Sequence, residues 1–124
     1  MAYLFRGVDH DWYAVRTLST TWRLDRGINL SLVFEWDARK AAANVGKHGI
    51  KFSEAIAVFD DPLAKIFLDS WHSENEPREI IIGHLHDRRL CLVVFTEISE
   101  DRLRIISARL ATPKEQRDYE RNAR

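Results

Sequence analysis

The pattern of apolar and polar positions predicts a short strand, then helices, and then a run of strands along the chain. The apolar run 30–34 is typical of a short strand, and the alanine-rich stretch 38–48 has the 3.6-residue period of a helix. Asp37 is a good N-cap because its carboxylate can accept from free backbone N–H groups, and Gly49 is suited to a left-handed helix end. The pattern therefore predicts a strand followed by a helix.

Two stripes run along this predicted helix. The apolar stripe consists of Ala38, Ala41, Val45 and His48. The polar stripe consists of Lys40, Asn44 and Lys47. A polar helix face usually faces solvent, so we expect solvent exposure for the polar stripe, with a contribution to a binding site as the alternative.

The remainder predicts a short helix, a run of strands and a last helix. Ser53 would cap the second helix, which runs to residue 59 before Pro62. Strands are predicted at 63–68, 78–84, 90–96 and 103–108, and a capping box with proline at the first position begins a helix over 113–121. The order predicts an α+β fold, with two N-terminal helices and a C-terminal helix packed on a small antiparallel sheet.

Residues 1–32 differ from the rest of the chain. Large aromatic residues are scattered there among polar ones without a sustained period. We therefore expect an N-terminal extension of uncertain structure at 1–32 and a globular domain at 33–124.

Composition limits the functional classes. The only cysteine, Cys91, lies in an apolar run and fits a small buried side chain in a reducing compartment. No apolar run is long enough for a membrane helix, so a cytoplasmic protein without a membrane contact is expected. The net charge is zero, which argues against a protein that binds nucleic acid through a broad basic surface. Residues 34–77 carry 5 Lys/Arg and 8 Asp/Glu (5 − 8 = −3), whereas 78–124 carry 10 and 8 (10 − 8 = +2), which favours an anion site in the second half.

Arg104 and Arg109 lie at the two ends of an apolar strand core. Arginine suits phosphate because its planar fork donates two parallel hydrogen bonds, although an ion pair with a carboxylate is the common alternative. Strand alternation predicts that the two arginines face opposite sides of the sheet unless the strand bulges.

An ordered set of motifs over roughly residues 33–120 resembles the BrnT family of bacterial toxins. The motifs are Phe34-Glu-Trp-Asp37, Asn44, Lys47-His-Gly49, Phe52-Ser-Glu-Ala55, Val58-Phe-Asp-Asp-Pro62, His72-Ser-Glu74, Glu76, Arg78, Ile82-Gly83, Arg104-Ile-Ile-Ser-Ala-Arg109 and Tyr119. The resemblance implies a RelE-like fold, a ribonuclease activity against RNA and a complex with a small BrnA-like antitoxin, through which alone DNA would be bound. Pro77 and His84 depart from the family pattern.

RNA cleavage without a metal needs a base, an acid and fixed cations at the phosphate. The candidate catalytic residues are His48, His72, Glu76, Arg104 and Arg109. The candidate RNA-binding residues are Lys47, Arg78 and Tyr119. His84 and His86 without a third ligand are a poor zinc site, so no metal or cofactor is expected.

The leading hypothesis is thus a metal-independent endoribonuclease toxin that arrests growth. The alternative from another class is a catalytically weak protein-binding module that chiefly pairs with an antitoxin. A direct DNA-binding regulator is a third possibility, and the zero net charge counts against it.

Overall fold

The computed structural model describes residues 3–6, 12–18, 31–69 and 77–121. Its strands are β1 (Tyr3–Arg6), β2 (Trp12–Leu18), β3 (Ser31–Asp37), β4 (Lys65–Leu68), β5 (Glu79–His84), β6 (Leu90–Ser99) and β7 (Arg102–Leu110). Its helices are α1 (Ala38–His48), α2 (Phe52–Ala55), which a 3-10 helix (Ile56–Asp60) continues, and α3 (Pro113–Arg121). The predicted α+β class is confirmed.

These strands form one sheet in the order β1-β2-β3-β7-β6-β5-β4. The prediction of a small antiparallel sheet is wrong in two respects, because the sheet has seven strands over the described residues and is mixed. Strands β3 and β7 run parallel, with Glu35 opposite Arg104. A parallel pair needs a long crossover, and the helices and meander between β3 and β7 provide it.

Two of the strands belong to the N-terminal extension, for which the sequence predicted no fold. Strand β2 pairs antiparallel with β3 along its whole length, from Trp12 opposite Asp37 to Leu18 opposite Ser31. Strand β1 pairs antiparallel with β2. The described parts of the extension therefore continue the sheet, and a domain boundary near residue 33 stays a prediction.

Helix α1 begins and ends where its sequence indicates. Asp37 Oδ1 accepts hydrogen bonds from Arg39 N at 2.8 Å and Lys40 N at 3.3 Å. Gly49 adopts φ 72°, which is left-handed, and donates its N–H to Val45 O. Both predicted caps of this helix are confirmed.

The predicted helix stripes need a correction at Asn44 and Val45. Asn44 is buried, whereas Val45 is exposed. The Asn44 amide donates to Ile50 O at 2.9 Å and Ala108 O at 2.8 Å, and its oxygen accepts from Ala108 N at 3.0 Å. The burial of a polar side chain is possible here because all of these polar groups are paired.

The start of α2 also differs from the prediction. The helix begins at Phe52, so Ser53 lies in its first turn, and Lys51 occupies the N-cap position. The Glu54 carboxylate accepts from Lys51 N at 2.9 Å, which satisfies a free N–H without a serine cap.

Helices cover both faces of the sheet. On one side, which we call the α1 face, α1 and α2 cover a core that includes Phe34, Phe52 and Phe95. On the other, which we call the α3 face, Tyr119 of α3 packs with Ile82, Leu90 and Leu92. The predicted role of Cys91 fits this arrangement, because Cys91 is fully buried and burial raises the pKa of its thiol to about 11. The remaining core side chains of the α1 face are Leu32, Trp36, Ile50, Ala55, Val58, Phe59, Ile81, Leu85, Val93, Leu103, Ile105 and Ala108.

We expect Asn44→Ala to lower the free energy of unfolding by about 2–4 kcal/mol, because it leaves buried backbone groups of Ile50 and Ala108 without partners. Urea unfolding measures the change, with the exposed Lys40→Ala as the control, for which we expect a change within about 0.5 kcal/mol. Equal effects of the two substitutions would contradict a structural role for the amide.

Candidate functional site

A bulge in β7 brings Arg104 and Arg109 to the same side of the sheet. Ser107 lies opposite Val94 and Ile105 lies opposite Phe95, so Ile106 is an extra residue in β7. Arg104 therefore shares the α3 face with Thr96, and Arg109 shares it with Leu92, because residues that pair across strands point the same way. The prediction that the two arginines face opposite sides of the sheet is therefore wrong, because β7 contains the bulge that was named as the exception.

Arg104 is held by a carboxylate on the neighbouring parallel strand. Its Nε donates to Glu35 Oε2 at 2.9 Å, and Arg102 Nη1 donates to Glu35 Oε1 at 3.0 Å. The Glu35 side chain is only 12% exposed, and those of Arg104 and Arg102 are 32% and 39% exposed. The three groups form a bridge that carries one net positive charge and still faces solvent through its arginines.

Arg78 is also assigned to the α3 face. It lies directly before β5, which is separated from β7 by β6. The first residue of β5, Glu79, pairs with Phe95. Thr96, the next residue of β6, donates its hydroxyl to Pro77 O at 2.6 Å and pairs with Arg104 across the strands. The backbone thus places Arg78 and Arg104 on either side of Thr96.

Arg109 has a different environment at the other end of β7. Its Nη1 and Nη2 donate to the two oxygens of Glu115 at 2.7 and 2.8 Å. The hydrogen bonds from Arg109 lower the pKa of the Glu115 carboxyl to about 2 and outweigh the opposing effect of burial. Glu115 Oε1 also accepts from Thr112 N at 2.9 Å, so the predicted capping box of α3 is confirmed and Arg109 is part of it.

A histidine and aspartate pair lies where β5 meets the turn before β4. His84 Nδ1 is 2.9 Å from Asp61 Oδ2, and the same oxygen accepts from His84 N at 2.7 Å. Burial raises the pKa of Asp61, but hydrogen bonds from Leu63 N and His84 outweigh it, so the net pKa is lowered. The turn fits closely because residue 83 is glycine, whose added Cβ would lie 3.0 Å from Ala64 Cβ.

Tyr119 completes this cluster. Its ring lies edge-on to His84 with centroids 5.7 Å apart, and its hydroxyl donates to Leu63 O at 2.8 Å. Lys65 Nζ is 5.5 Å from the centre of the same ring. Burial, followed by the nearby charge of Asp61, raises the pKa of the Tyr119 phenol. The sequence missed the roles of Asp61 and Lys65, because 23 residues separate Asp61 from His84 and no local pattern connects them.

Other predicted site residues do not join the arginines. Lys47 and His48 are at the C-terminal end of α1, a helix that packs on the α1 face, whereas Arg104 and Arg109 are on the α3 face. His72 and Glu76 lie outside the described residues, so their roles stay predictions. His86 lies in an exposed turn after β5, whereas His84 is the last residue of that strand.

The arrangement of helices, sheet and motif residues has a counterpart among known proteins. Residues 36–115, which are 80 of the 124 residues, match the family described as "Ribonuclease toxin, BrnT, of type II toxin-antitoxin system". The chain belongs to the BrnT family. The matched range includes Arg78, Arg104 and Arg109, whereas Glu35, Tyr119 and the strands β1 and β2 lie outside it.

A solved BrnT structure shares the fold. The crystal structure of the ribonuclease toxin BrnT from Brucella abortus, at 1.1 Å resolution, matches with a TM-score of 0.51 and 28% sequence identity. The alignment covers 62% of this chain and 92% of that BrnT chain. No curated protein matches the sequence.

Two further observations concern metal ligands and membrane-spanning helices. Among residues 3–6, 12–18, 31–69 and 77–121, no group of three or more His, Cys, Asp or Glu side chains is placed to hold a metal ion. No helix in the described part of the chain is both long and apolar enough to cross a membrane.

The Arg109 and Glu115 pair predicts a pH-dependent contribution to stability. The folded pKa of Glu115 is about 2 and its ordinary value is 4.5, so its carboxylate stabilises the fold above pH 4.5 and this contribution is lost as pH falls towards 2. We expect Glu115→Gln to lower the free energy of unfolding at pH 7 by about 1 kcal/mol or less, because solvent screens the partly exposed pair.

Urea unfolding of wild type and Glu115→Gln at several pH values measures this difference. It should be largest above pH 4.5 and close to zero near pH 2. Asp118→Asn is the control, because its 3.9 Å pair with Lys114 is more exposed. A difference that is constant from pH 7 to pH 2 would contradict the assignment.

Proposed function

We propose that this BrnT family member is a metal-independent endoribonuclease that cleaves RNA and arrests growth. The observation that carries the proposal is the pair of arginines, Arg78 and Arg104, on either side of Thr96 on the α3 face. Guanidinium groups on the two sides of β6, one from the residue before β5 and one from β7, provide two fixed cations for a phosphodiester and its neighbours along the chain.

In the proposed reaction a base removes the proton of the ribose 2′-hydroxyl, and the oxygen attacks the adjacent phosphorus. An acid then protonates the 5′-oxygen as its bond to phosphorus breaks, which leaves a 2′,3′-cyclic phosphate and a 5′-hydroxyl. Arg104 and Arg78 would stabilise the additional negative charge of the pentavalent phosphate. Glu35 orients Arg104, since it holds the Nε at 2.9 Å.

His72 and Glu76 are the proposed acid and base. They precede Arg78 by six and two residues in the sequence, and the proposal assigns them to the same site as Arg78. His48 and Lys47 are less favoured, because α1 lies on the opposite side of the sheet. Arg109 and Tyr119 are better explained as groups that fix α3, given their bonds to Glu115 and Leu63 O.

The family also suggests the partner and the setting. A toxin of a type II system would be held inactive by a small antitoxin, here one of the BrnA type, in the cytoplasm. Any DNA contact would come from the antitoxin in that complex. The RelE-like character of the fold stays a prediction from the family resemblance.

A second candidate function is a catalytically weak module that mainly binds an antitoxin. The carboxylate partners of both Arg104 and Arg109 favour this reading, because an arginine held by a glutamate meets a phosphate only if the two anions share it. An RNA cleavage assay with the purified chain separates the two functions. A folded wild-type chain that leaves RNA intact at every concentration would favour the binding module.

The proposal predicts that purified chain without antitoxin cleaves RNA in excess EDTA. Arg104→Ala should reduce the rate at least about 100-fold, because it removes a cation from the transition state. Gel analysis of a labelled RNA gives the rates.

Arg102→Ala is the matched control, because it removes the other arginine of the same Glu35 bridge. It should reproduce any loss of stability while retaining activity within a few-fold. Equal loss of activity in both variants would assign Arg104 a structural role only. Activity of the wild type that chelation abolishes would contradict the metal-free mechanism.

His72→Ala should lower the cleavage rate by about 10²–10⁴-fold if His72 transfers a proton. His86→Ala replaces an exposed histidine in a turn and should leave the rate unchanged. The pH dependence of the rate provides the second readout, since the loss of a titrating acid or base removes one limb of the profile. Retained activity in His72→Ala would exclude that role.

A further inference from the structure

Strand β4 forms one end of the sheet and exposes apolar side chains. It pairs with β5 on one side, and no strand among the described residues pairs with its other side. Leu63, Ile66, Phe67 and Leu68 are 63%, 38%, 48% and 62% exposed. An apolar strand edge of this kind is a template for another strand, and natural proteins usually protect it with charges, prolines or bulges.

The exposed side chains lie on both faces of the sheet. Phe67 pairs with Ile80 and so lies on the α3 face, whereas Ile66 pairs with Ile81 and lies on the α1 face with Leu68. A partner that packs on one face would leave the other exposed. An added strand that continues the sheet would contact both.

The hydrogen-bond direction along β4 is fixed by its neighbour. Asp69 N donates to Arg78 O at 2.8 Å, so the backbone polar groups of Asp69 point towards β5. The backbone N–H and C=O groups of successive residues point to alternate sides of a strand. Those groups of Phe67 and Lys65 therefore also point towards β5. The N–H and C=O groups of Ile66 and Leu68 point away from β5, to the side on which no described strand pairs with β4.

We propose that β4 pairs antiparallel with β4 of a second copy of this chain, about a two-fold axis at Phe67. This register sets Ile66 opposite the second copy's Leu68 as a hydrogen-bonded pair and sets the two Phe67 rings opposite each other. It also sets Lys65 opposite Asp69, twice by symmetry. The segment Lys65-Ile-Phe-Leu-Asp69 is therefore complementary to itself in charge and in hydrogen-bond direction.

Other occupants and registers fit less well. An axis between two residues would oppose an outward-pointing residue to an inward-pointing one, so no ladder could form. An axis at Ile66 would place Lys65 opposite Phe67 and leave Asp69 opposite Leu63, without the ion pairs. Lys65 Nζ also lies over the Tyr119 ring, which is on the same face as the proposed ion pair.

The proposed interface is short, so the dimer should dissociate on dilution. Sedimentation velocity over a wide concentration range measures the dissociation constant. Lys65→Asp and Asp69→Lys should each weaken the dimer about tenfold, because each replaces two attractive pairs by two repulsive ones. Circular dichroism checks that the fold is intact.

Mixing the two single variants gives the decisive measurement. In a mixed dimer position 65 of each chain faces a position 69 of opposite charge, so both ion pairs are restored. An equimolar mixture of Lys65→Asp and Asp69→Lys should therefore associate about as tightly as wild type. The double variant Lys65→Asp/Asp69→Lys should also recover association. Lys114→Asp, a reversal on α3 away from β4, should have no effect.

Several outcomes would overturn the proposal. A wild-type chain that is monomeric at all concentrations would exclude the second copy as the occupant. A dimer that is insensitive to both reversals, or a mixture that does not recover association, would exclude this register. These results are independent of RNA cleavage, so the proposed function and the proposed dimer can fail separately.

Discussion

The contact of Asn44 with the backbone of β7 is the constraint on which the rest of the structure depends. Parallel pairing between β3 and β7 extends over residues 33–35 and 102–104, so the later part of β7 needs other partners on that edge. The Asn44 amide provides one, since it both donates to Ala108 O and accepts from Ala108 N. A helix side chain thereby replaces a strand at this position. Its bond to Ile50 O also fixes the chain that enters α2.

The bulge at Ile106 lies between the two attachments of β7. Upstream, Leu103 and Ile105 face the core, and downstream Ala108 does so, which requires one extra residue between them. Arg104 and Arg109 consequently point to the α3 face, each beside a residue that enters the core. The packing of small and branched apolar side chains against α1 therefore determines where the guanidinium groups lie.

Charged residues on the α3 face are largely organised by other charged residues. Glu35 is shared between Arg102 and Arg104, and Glu115 binds both terminal nitrogens of Arg109. Isolated surface ion pairs contribute little to stability, whereas a shared or bidentate geometry fixes orientation. In this protein the carboxylates orient the arginines through these hydrogen bonds. Arg104 differs from Arg109 because a further arginine, Arg78, lies on the other side of β6 from it.

The sequence by itself determined the family and most of the elements from residue 31 onwards, but not β1 and β2. Local rules were sufficient for α1 with its Asp37 and Gly49 caps, for the strands of the meander and for the capping box of α3, because each depends on residues close in sequence. The ordered motifs also identified the BrnT resemblance. The tertiary structure decided the parallel pairing of β3 with β7, the burial of Asn44, the side to which Arg109 points and the Asp61 and His84 pair. Each of these depends on groups far apart in sequence, whose contacts arise only when helices and strands pack together.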